Sequence, residues 1–361
     1  MSLSPRLERA RVDLEALATR DVPLAELVDL LHRRFVRAVP SAAGYFLTVD
    51  PSTMLPTGGV VQGFPAEACA PFWRAEFTGD LLPFAELAQA DLAGSLHDTP
   101  PSALRASERY ASLLQPAGMH DELRVAFVAG GSCWGVGGWV RRADAAPFRD
   151  EEVELARRIS EPVARGLRGR MLMEQSECPD HDMAMLLLDG EGRVQSRNRN
   201  LDAWLDELST VQGIDDGELP SLMNLLAAQA VAVQAQGRGP DPCVRVRGRS
   251  GRWATVRASA LQGGHAAVAI VIQAAEATEL APWLLQAYGL TPREIEVVGG
   301  IARGEGNQQI ASRLELSVHT VKDHVKSIYA KTGVGSRSEL LCQIYDGGVH
   351  EQLVTTVRHV S

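Results

Sequence analysis

Leu316-Ser-Val-His-Thr-Val-Lys-Asp-His-Val-Lys-Ser-Ile-Tyr-Ala-Lys331 contains every lysine of the chain, Lys322, Lys326 and Lys331; all its other cations are arginines. Val321, Val325 and Ile328 recur at i, i+4 and i+7, the spacing of a buried stripe on one amphipathic helix. Lys322 and Lys326 stand one turn apart on an exposed face, with His319 and Asp323 beside them. In a chain of net charge −9, an exposed cationic helix face suggests a surface for a polyanion.

The flanking sequence is punctuated like a small helical bundle. Thr291-Pro-Arg-Glu294 reads as a capping box with proline at the first helical position. It opens a helix that turns Ile295, Val298 and Ile301 inward and stops at Gly304. Asn307 is placed to cap a second helix through Ile310, Ala311 and Leu314. After the turn Glu315-Leu-Ser317, Ser317 caps the lysine-bearing helix, which Gly333 and Gly335 end. Ser336-Arg-Ser-Glu339 is a second capping box, opening a last helix through Leu340, Leu341 and Ile344. Two short helices joined by a tight turn, the second presenting cations, make a helix-turn-helix arrangement.

These residues resemble the LuxR-type DNA-binding domain: Leu290-Thr-Pro-Arg-Glu294, Ile310-Ala-Ser-Arg-Leu314, Ser317, Thr320-Val-Lys322, His324, Tyr329, Lys331, and Arg337 with Glu339-Leu340. The resemblance covers roughly the last fifth of the chain. It implies that the third helix enters the major groove of double-stranded DNA and that the fourth supports dimerisation. On that basis Lys322, Asp323 and Lys326 are expected to meet base edges, where Asp323 can accept from a cytosine amino group. Thr320, His319, Lys331 and Arg337 are expected at phosphates. His324, beside the buried stripe, reads as a packing residue and Glu294 as a cap. Arg293 and Arg313 fit either a phosphate contact or an ion pair.

Between Leu290 and Tyr345 there are seven cations and six anions, so this module carries +1 and the rest of the chain −10. A near-neutral reader on an acidic body does not coat DNA non-specifically. Affinity then depends on local placement and on two copies acting together, which makes a homodimer on paired half-sites the expected binding form.

Upstream, Leu7, Ala10, Leu14 and Leu17 mark an entry helix, and Leu24 to Phe35 a second. Strand-like runs follow at Ala43 to Val49 and Gly58 to Gly63, then a helix from Ala68 to Phe77. An Asp/Pro-interrupted stretch runs from Gly79 to Gly118. Paired strands at Leu123 to Ala129 and Cys133 to Arg141 precede a closing helix from Asp150. This order, with Trp134-Gly-Val-Gly, Arg141, Pro147-Phe148 and Glu151-Glu152, resembles a GAF sensor domain. The resemblance implies a pocket between the sheet and the variable middle, with Phe46, Phe72, Trp73, Tyr110, Phe127 and Trp139 as candidate lining residues; plain core packing is the other reading of such aromatics.

From Ala184 a strand, a Gly190-Glu-Gly192 turn, a second strand, two helices, a hairpin and the buried run Ala266 to Ile272 resemble a PAS domain. Arg245, Arg247, Arg249, Arg252 and Arg257 alternate along its hairpin and read as a solvated or ion-paired face.

The fold class expected is α+β and multidomain: GAF-like and PAS-like α/β sensor domains, then an all-α four-helix LuxR-type helix-turn-helix domain. The expected boundaries are an N-terminal helix over 1–20, the GAF-like domain over 21–172, the PAS-like domain over 180–275, a linker helix over 276–288, the DNA-binding domain over 289–348 and a tail over 349–361. No apolar run is long enough to cross a membrane, and the first residues lack a signal-peptide core. Five dispersed cysteines give neither a disulfide framework nor a zinc-ligand spacing. With no lysine before Lys322, residues 1–321 hold neither a P-loop lysine nor a Schiff-base lysine, and no Gly-x-Ser-x-Gly elbow or His-Glu-x-x-His occurs. The expectation is therefore a cytoplasmic transcriptional regulator, not an enzyme, with no catalytic residues, metal or cofactor, answering a small-molecule or protein signal at its sensor domains. Two alternatives stay open: a ligand- or partner-binding signalling protein whose DNA module is secondary, and a phosphorylation-controlled response regulator, which the missing receiver-like lysine disfavours.

Overall fold

The computed structural model describes residues 2–345 apart from 66–67, 78, 174–182, 209–210, 213–218, 238–241, 251–252, 263–265, 276–284 and 286–287. Most of the expected linker helix, and all of the tail over 349–361, lie outside the described residues. The chain forms two compact units, residues 1–274 and 275–361.

The first unit begins with α1 (Pro5–Ala18), which has proline at its start and buries Leu7, Ala10, Leu14 and Ala18 at helical spacing. It packs on α2 (Leu24–Ala38) and on the long α6 (Asp150–Met173). Gly166 permits the crossing with α1, because a Cβ there would stand 2.3 Å from the Ala18 carbonyl oxygen. The three acids Asp150, Glu151 and Glu152 occupy the first turn of α6, where the helix dipole favours negative charge.

Five antiparallel strands make the first sheet: β1 (Ala43–Val49), β2 (Pro56–Gln62), β3 (Ala93–Ser95), β4 (Met119–Ala129) and β5 (Ser132–Arg142), in the order β3-β4-β5-β1-β2. β1 lies between β5 and β2, and all seven of its residues are buried. Helices α3 (Cys69–Phe77) and α4 (Phe84–Gln89) lead out of β2 toward β3. The Asp/Pro-interrupted stretch over 79–118 holds α4, β3, α5 (Pro101–Ala106) and a π-helical turn at Tyr110–Leu114. Elements this short complete too few repeats for periodicity to declare them.

A second sheet follows: β6 (Ala184–Asp189), β7 (Val194–Arg197), β9 (Cys243–Arg247), β10 (Trp253–Ala260) and β11 (Ala266–Ala274), in the order β7-β6-β11-β10-β9 and antiparallel throughout. Counted from each sheet's own first strand, both sheets have the order 2-1-5-4-3. The inner face of the second sheet alternates cleanly, burying Leu186 and Leu188, Val244 and Val246, Val256 and Ala258, and Ile270 and Ile272. Trp204 of α7 (Leu201–Leu208) and Met223 and Leu226 of α8 (Ser221–Gln236) belong to the same core.

The two sheets share that core. It runs from Tyr45, Leu47 and Trp73 through Leu222 and Met223 to Val256 and Ile270. α3 packs on α8, and a short strand β8 (Val211–Gln212) joins β2 in parallel at Gly59 and Val60. Asp50, fully buried, accepts from the Arg245 backbone N at 3.0 Å and from its Nη1 at 3.2 Å. One arginine of the basic strand face is thus ion-paired inside the unit.

The second unit holds α9 (Pro292–Ala302), α10 (Asn307–Leu314), α11 (Val318–Thr332) and α12 (Arg337–Tyr345) around Leu290, Val297, Val298, Ile301, Ile310, Leu314, Val321, Ile328 and Leu340. Thr291 and Glu294 form the expected capping box: the Glu294 N–H donates to Thr291 Oγ1 and the Thr291 N–H to Glu294 Oε2. Asn307 does not cap α10. Gly306 takes the cap position, its N–H donating to Gln309 Oε1 at 2.7 Å, and Asn307 is the first helical residue. Ser317 caps α11 by accepting from the Thr320 N–H, and Gly333 ends it at φ +75°.

Candidate nucleic-acid interface

The geometry of α11 is set by two buried side chains. Val321 and Ile328 enter the core shared with α9 and α10, which fixes the rotation of the helix about its axis. The opposite stripe, His319, Lys322, Asp323, Lys326 and Ala330, is exposed. The His319 and Asp323 side chains are 87% and 66% exposed, and His319 Nε2 lies 3.7 Å from Asp323 Oδ2. Thr320, half-buried at the helix start, lies 2.8 Å from the Ser317 hydroxyl. Val318 is 39% exposed in the same first turn, an apolar residue at a position that helical periodicity leaves outside the core.

Five of the module's seven cations are engaged within it. Arg293 pairs with Glu296 and donates to the Leu314 carbonyl, while Arg303 and Arg313 both pair with Glu305. Lys331 Nζ lies 2.7 Å from Glu294 Oε2. Arg337 donates through Nη1 to the Glu305 carbonyl at 2.8 Å and through Nη2 to Asn307 Oδ1 at 2.7 Å. Lys331 and Arg337, expected at phosphates, thus tie the ends of α11 and α12 to the first two helices. Lys322 and Lys326 have no side-chain partner among the described residues, and they share one stripe of one helix.

Glu294 is the structural pivot, with its side chain 4% exposed. Burial alone pushes its carboxyl upward. Hydrogen bonds from Lys331, Ser327 and Thr291 outweigh that and hold it down at about 2. A carboxylate depressed in the folded state contributes stability that is complete above its ordinary value of 4.5 and fades as pH falls toward about 2. Glu294→Gln is expected to cost the second unit on the order of 2 kcal/mol at pH 7, discounted for the partial exposure of Lys331. The difference between variant and wild type should shrink steadily from pH 5 to pH 3. Urea midpoints read by pulsed hydrogen exchange on peptides within 292–345 measure it; a pH-independent difference would remove Glu294's charge from the account.

In the first unit, Phe72 and Trp73 line a cavity of about 560 Å³ beside α3, together with Tyr45, Leu47, Phe64 and Leu113. Tyr110 packs in a neighbouring cluster with Leu96 and Leu114. Phe46, Phe127 and Trp139 do not line it. Phe46 alternates with Tyr45 and Leu47 along β1 and so points to the other face of the sheet, where its ring stacks on Phe127 at 4.6 Å. Trp139 stacks on Phe35 of α2 at 3.9 Å. Among the described residues, no group of three or more His, Cys, Asp or Glu is placed to hold a metal ion, and no helix is long and apolar enough to cross a membrane.

Residues 289–344 match the family of bacterial regulatory proteins, luxR family. The chain is 43% identical over 56 residues to the monoamine regulon transcriptional regulator of Klebsiella aerogenes, covering 16% of this chain and 25% of that protein. It is 40% identical over 62 residues to the HTH-type transcriptional regulator MalT of Yersinia pestis (strain Pestoides F), covering 17% of this chain and 7% of that protein. The chain thus spans a quarter or less of the length of these relatives. Among solved structures, the GAF domain of a phosphoenolpyruvate-protein phosphotransferase from Coxiella burnetii is similar with a TM-score of 0.33 and 14% identity, over 46% of this chain and 96% of that one. Residues 289–344 are a LuxR-family helix-turn-helix module.

Proposed function

We propose that this chain is a cytoplasmic transcriptional regulator that binds duplex DNA through α11 as a homodimer, with residues 1–274 receiving the signal. The observation that carries the reading is the division of cations. Five of seven are engaged inside the module, and the two left over, Lys322 and Lys326, sit one turn apart beside Asp323 and His319. Lys322, Asp323 and Lys326 face base edges, with lysine suited to guanine acceptors and Asp323 to a cytosine amino group. Thr320, His319 and the first-turn N–H groups face phosphate, as a helix N-terminus does by virtue of its dipole. Val318 is positioned for a thymine methyl. Lys331 and Arg337 act as positioning residues. A module of charge +1 has little non-specific affinity, so two copies on paired half-sites supply the rest.

Selection from random duplex DNA with the full chain, at one stated moderate salt concentration, tests this. A two-fold symmetric site is expected. Failure to enrich any site, with the full chain and with residues 285–345 fused to a dimerising partner, would overturn the reading.

A further inference from the structure

We propose that the cavity beside α3 binds a compact, largely apolar small molecule carrying one anionic group, seated with that group toward Arg142. The inference rests on reading residues 1–274 as the signal-receiving part. At about 560 Å³ the cavity is the size of small-molecule sites, and protein interiors leave few voids larger than a water molecule. Its walls are mostly apolar and aromatic: Tyr45 and Leu47 from the sheet, Phe72 and Trp73 from α3, Leu113 and Met119 from the far side.

Arg142, at the end of β5, is the one charged side chain among the described residues that line the cavity. It is exposed, and its guanidinium has no side-chain partner among the described residues. Two other polar lining side chains are committed elsewhere: the Tyr45 hydroxyl donates to Glu122, and the Ser112 hydroxyl to the Glu108 carbonyl. An apolar ligand with an acidic end therefore meets a complementary group at one place only. A cationic end faces that guanidinium as a like charge and meets no carboxylate among the described lining residues.

Two features set this cavity apart from a packing defect. Its outer wall includes Ser112, Leu113 and Leu114 of the π-helical turn Tyr110–Leu114, closed by the Gln115 N–H donating to the Tyr110 carbonyl at 2.8 Å. Such i→i+5 turns are rare and concentrate at functional sites. Its inner wall is braced from behind: the guanidinium carbons of Arg124 and Arg109 lie 5.6 and 5.8 Å from the Phe72 ring centroid, and both arginines are paired with buried glutamates. The same helix α3 packs on α8, so a molecule pressing on Phe72 and Trp73 bears on the core of the second sheet.

The test uses three near-isosteric probes on the full chain by calorimetry: naphthylacetate, naphthylacetamide and naphthylethylammonium. Wild type is expected to prefer the anion over the amide by about 5- to 10-fold, as one partly solvated charge pair gives, with the cation weakest. Arg142→Gln, at an exposed position, should abolish that preference, bringing anion affinity down to that of the amide. Leu113→Trp, which fills the cavity, should abolish binding of all three, and naphthylacetate should slow hydrogen exchange in α8. The inference fails if no probe binds saturably, if Leu113→Trp leaves binding intact, or if charge makes no difference. A chain that still selects a DNA site yet fails these tests loses the cavity inference alone. A chain that binds the probes but selects no DNA site loses the regulator reading instead.

Discussion

Replacing Lys322 and Lys326 together by alanine should lower affinity for the selected duplex by about 30- to 1,000-fold at fixed salt, because contacts of this kind are worth about 1–3 kcal/mol each and their effects partly overlap. The helix itself should survive, since both side chains are exposed and alanine is the best helix former. Other cations of the module cannot substitute, being engaged with Glu296, Glu305, Glu294 and Asn307. The salt dependence separates the two ways a lysine can act. If both neutralise phosphate, the slope of log K against log salt falls by about two units per protomer, and so by about four for the dimer. If they read guanine edges, the slope changes little and the selected sequence degenerates at two positions of each half-site. Asp323→Ala is the complementary probe: it removes an anion from the face, so non-specific affinity should rise while discrimination at the facing base falls. Fluorescence anisotropy at several salt concentrations, on the selected site and on a scrambled duplex, reads all of these. Unchanged affinity in the double lysine variant would remove α11 as the reading helix.

The helix-turn-helix is legible in sequence because its instructions are local. Thr291 and Glu294, Ser317 and Thr320, and Ser336 and Glu339 are each three residues apart, and each pair closes as spacing alone indicates. The partners of the cations are not local. Lys331 meets a glutamate 37 residues away, and Arg337 an asparagine 30 away. No pattern in the sequence separates such cations from Lys322 and Lys326. Asn307 is misread as a cap because asparagine outranks glycine there by preference, yet Gly306 holds the extended backbone that the cap needs, and the Asn307 side chain is taken by Arg337.

In the first sheet the difficulty is different. All seven residues of β1 are buried, which erases the polar-apolar alternation that would tell one face from the other. Phe46 and Tyr45 are therefore indistinguishable in sequence, although only Tyr45 reaches the cavity. The merging of the two sheets into one unit is equally hidden, since Asp50 and Arg245 are 195 residues apart.

Arg124→Ala is expected to destabilise the first unit by about 3–5 kcal/mol, the cost of stranding buried charge. Arg124 is fully buried beneath the cavity wall. It pairs with Glu76, donates to the carbonyls of Leu81 and Leu82, and stacks its guanidinium 3.8 Å from the Phe84 ring centroid. Arg109 pairs with Glu122 at 3.1 Å and donates to the same Leu81 carbonyl; Glu122 in turn accepts from the Tyr45 hydroxyl. Burial pushes the Tyr45 phenol well above its ordinary range, which favours the protonated, donating form. Two positive and two negative charges balance, and removing any one leaves a net charge where water cannot reach it. Glu76 ends α3 and also accepts from the Phe84 N–H, while Arg109 leads directly into the π-helical turn. The network therefore sets the spacing of the two walls that bound the cavity. Arg124→Met combined with Glu76→Leu should recover part of the loss, because two apolar side chains strand less charge than one unpaired glutamate. Restored stability need not restore the cavity, because neither replacement can hold the Leu81 and Leu82 carbonyls. Urea unfolding followed by indole fluorescence is suited to the measurement, with Trp73, Trp134, Trp139 and Trp204 all buried in this unit. A double variant as stable as wild type but unable to bind naphthylacetate would assign the charges to the shape of the site. Equal recovery of both would reduce them to one solution among several for filling that part of the core.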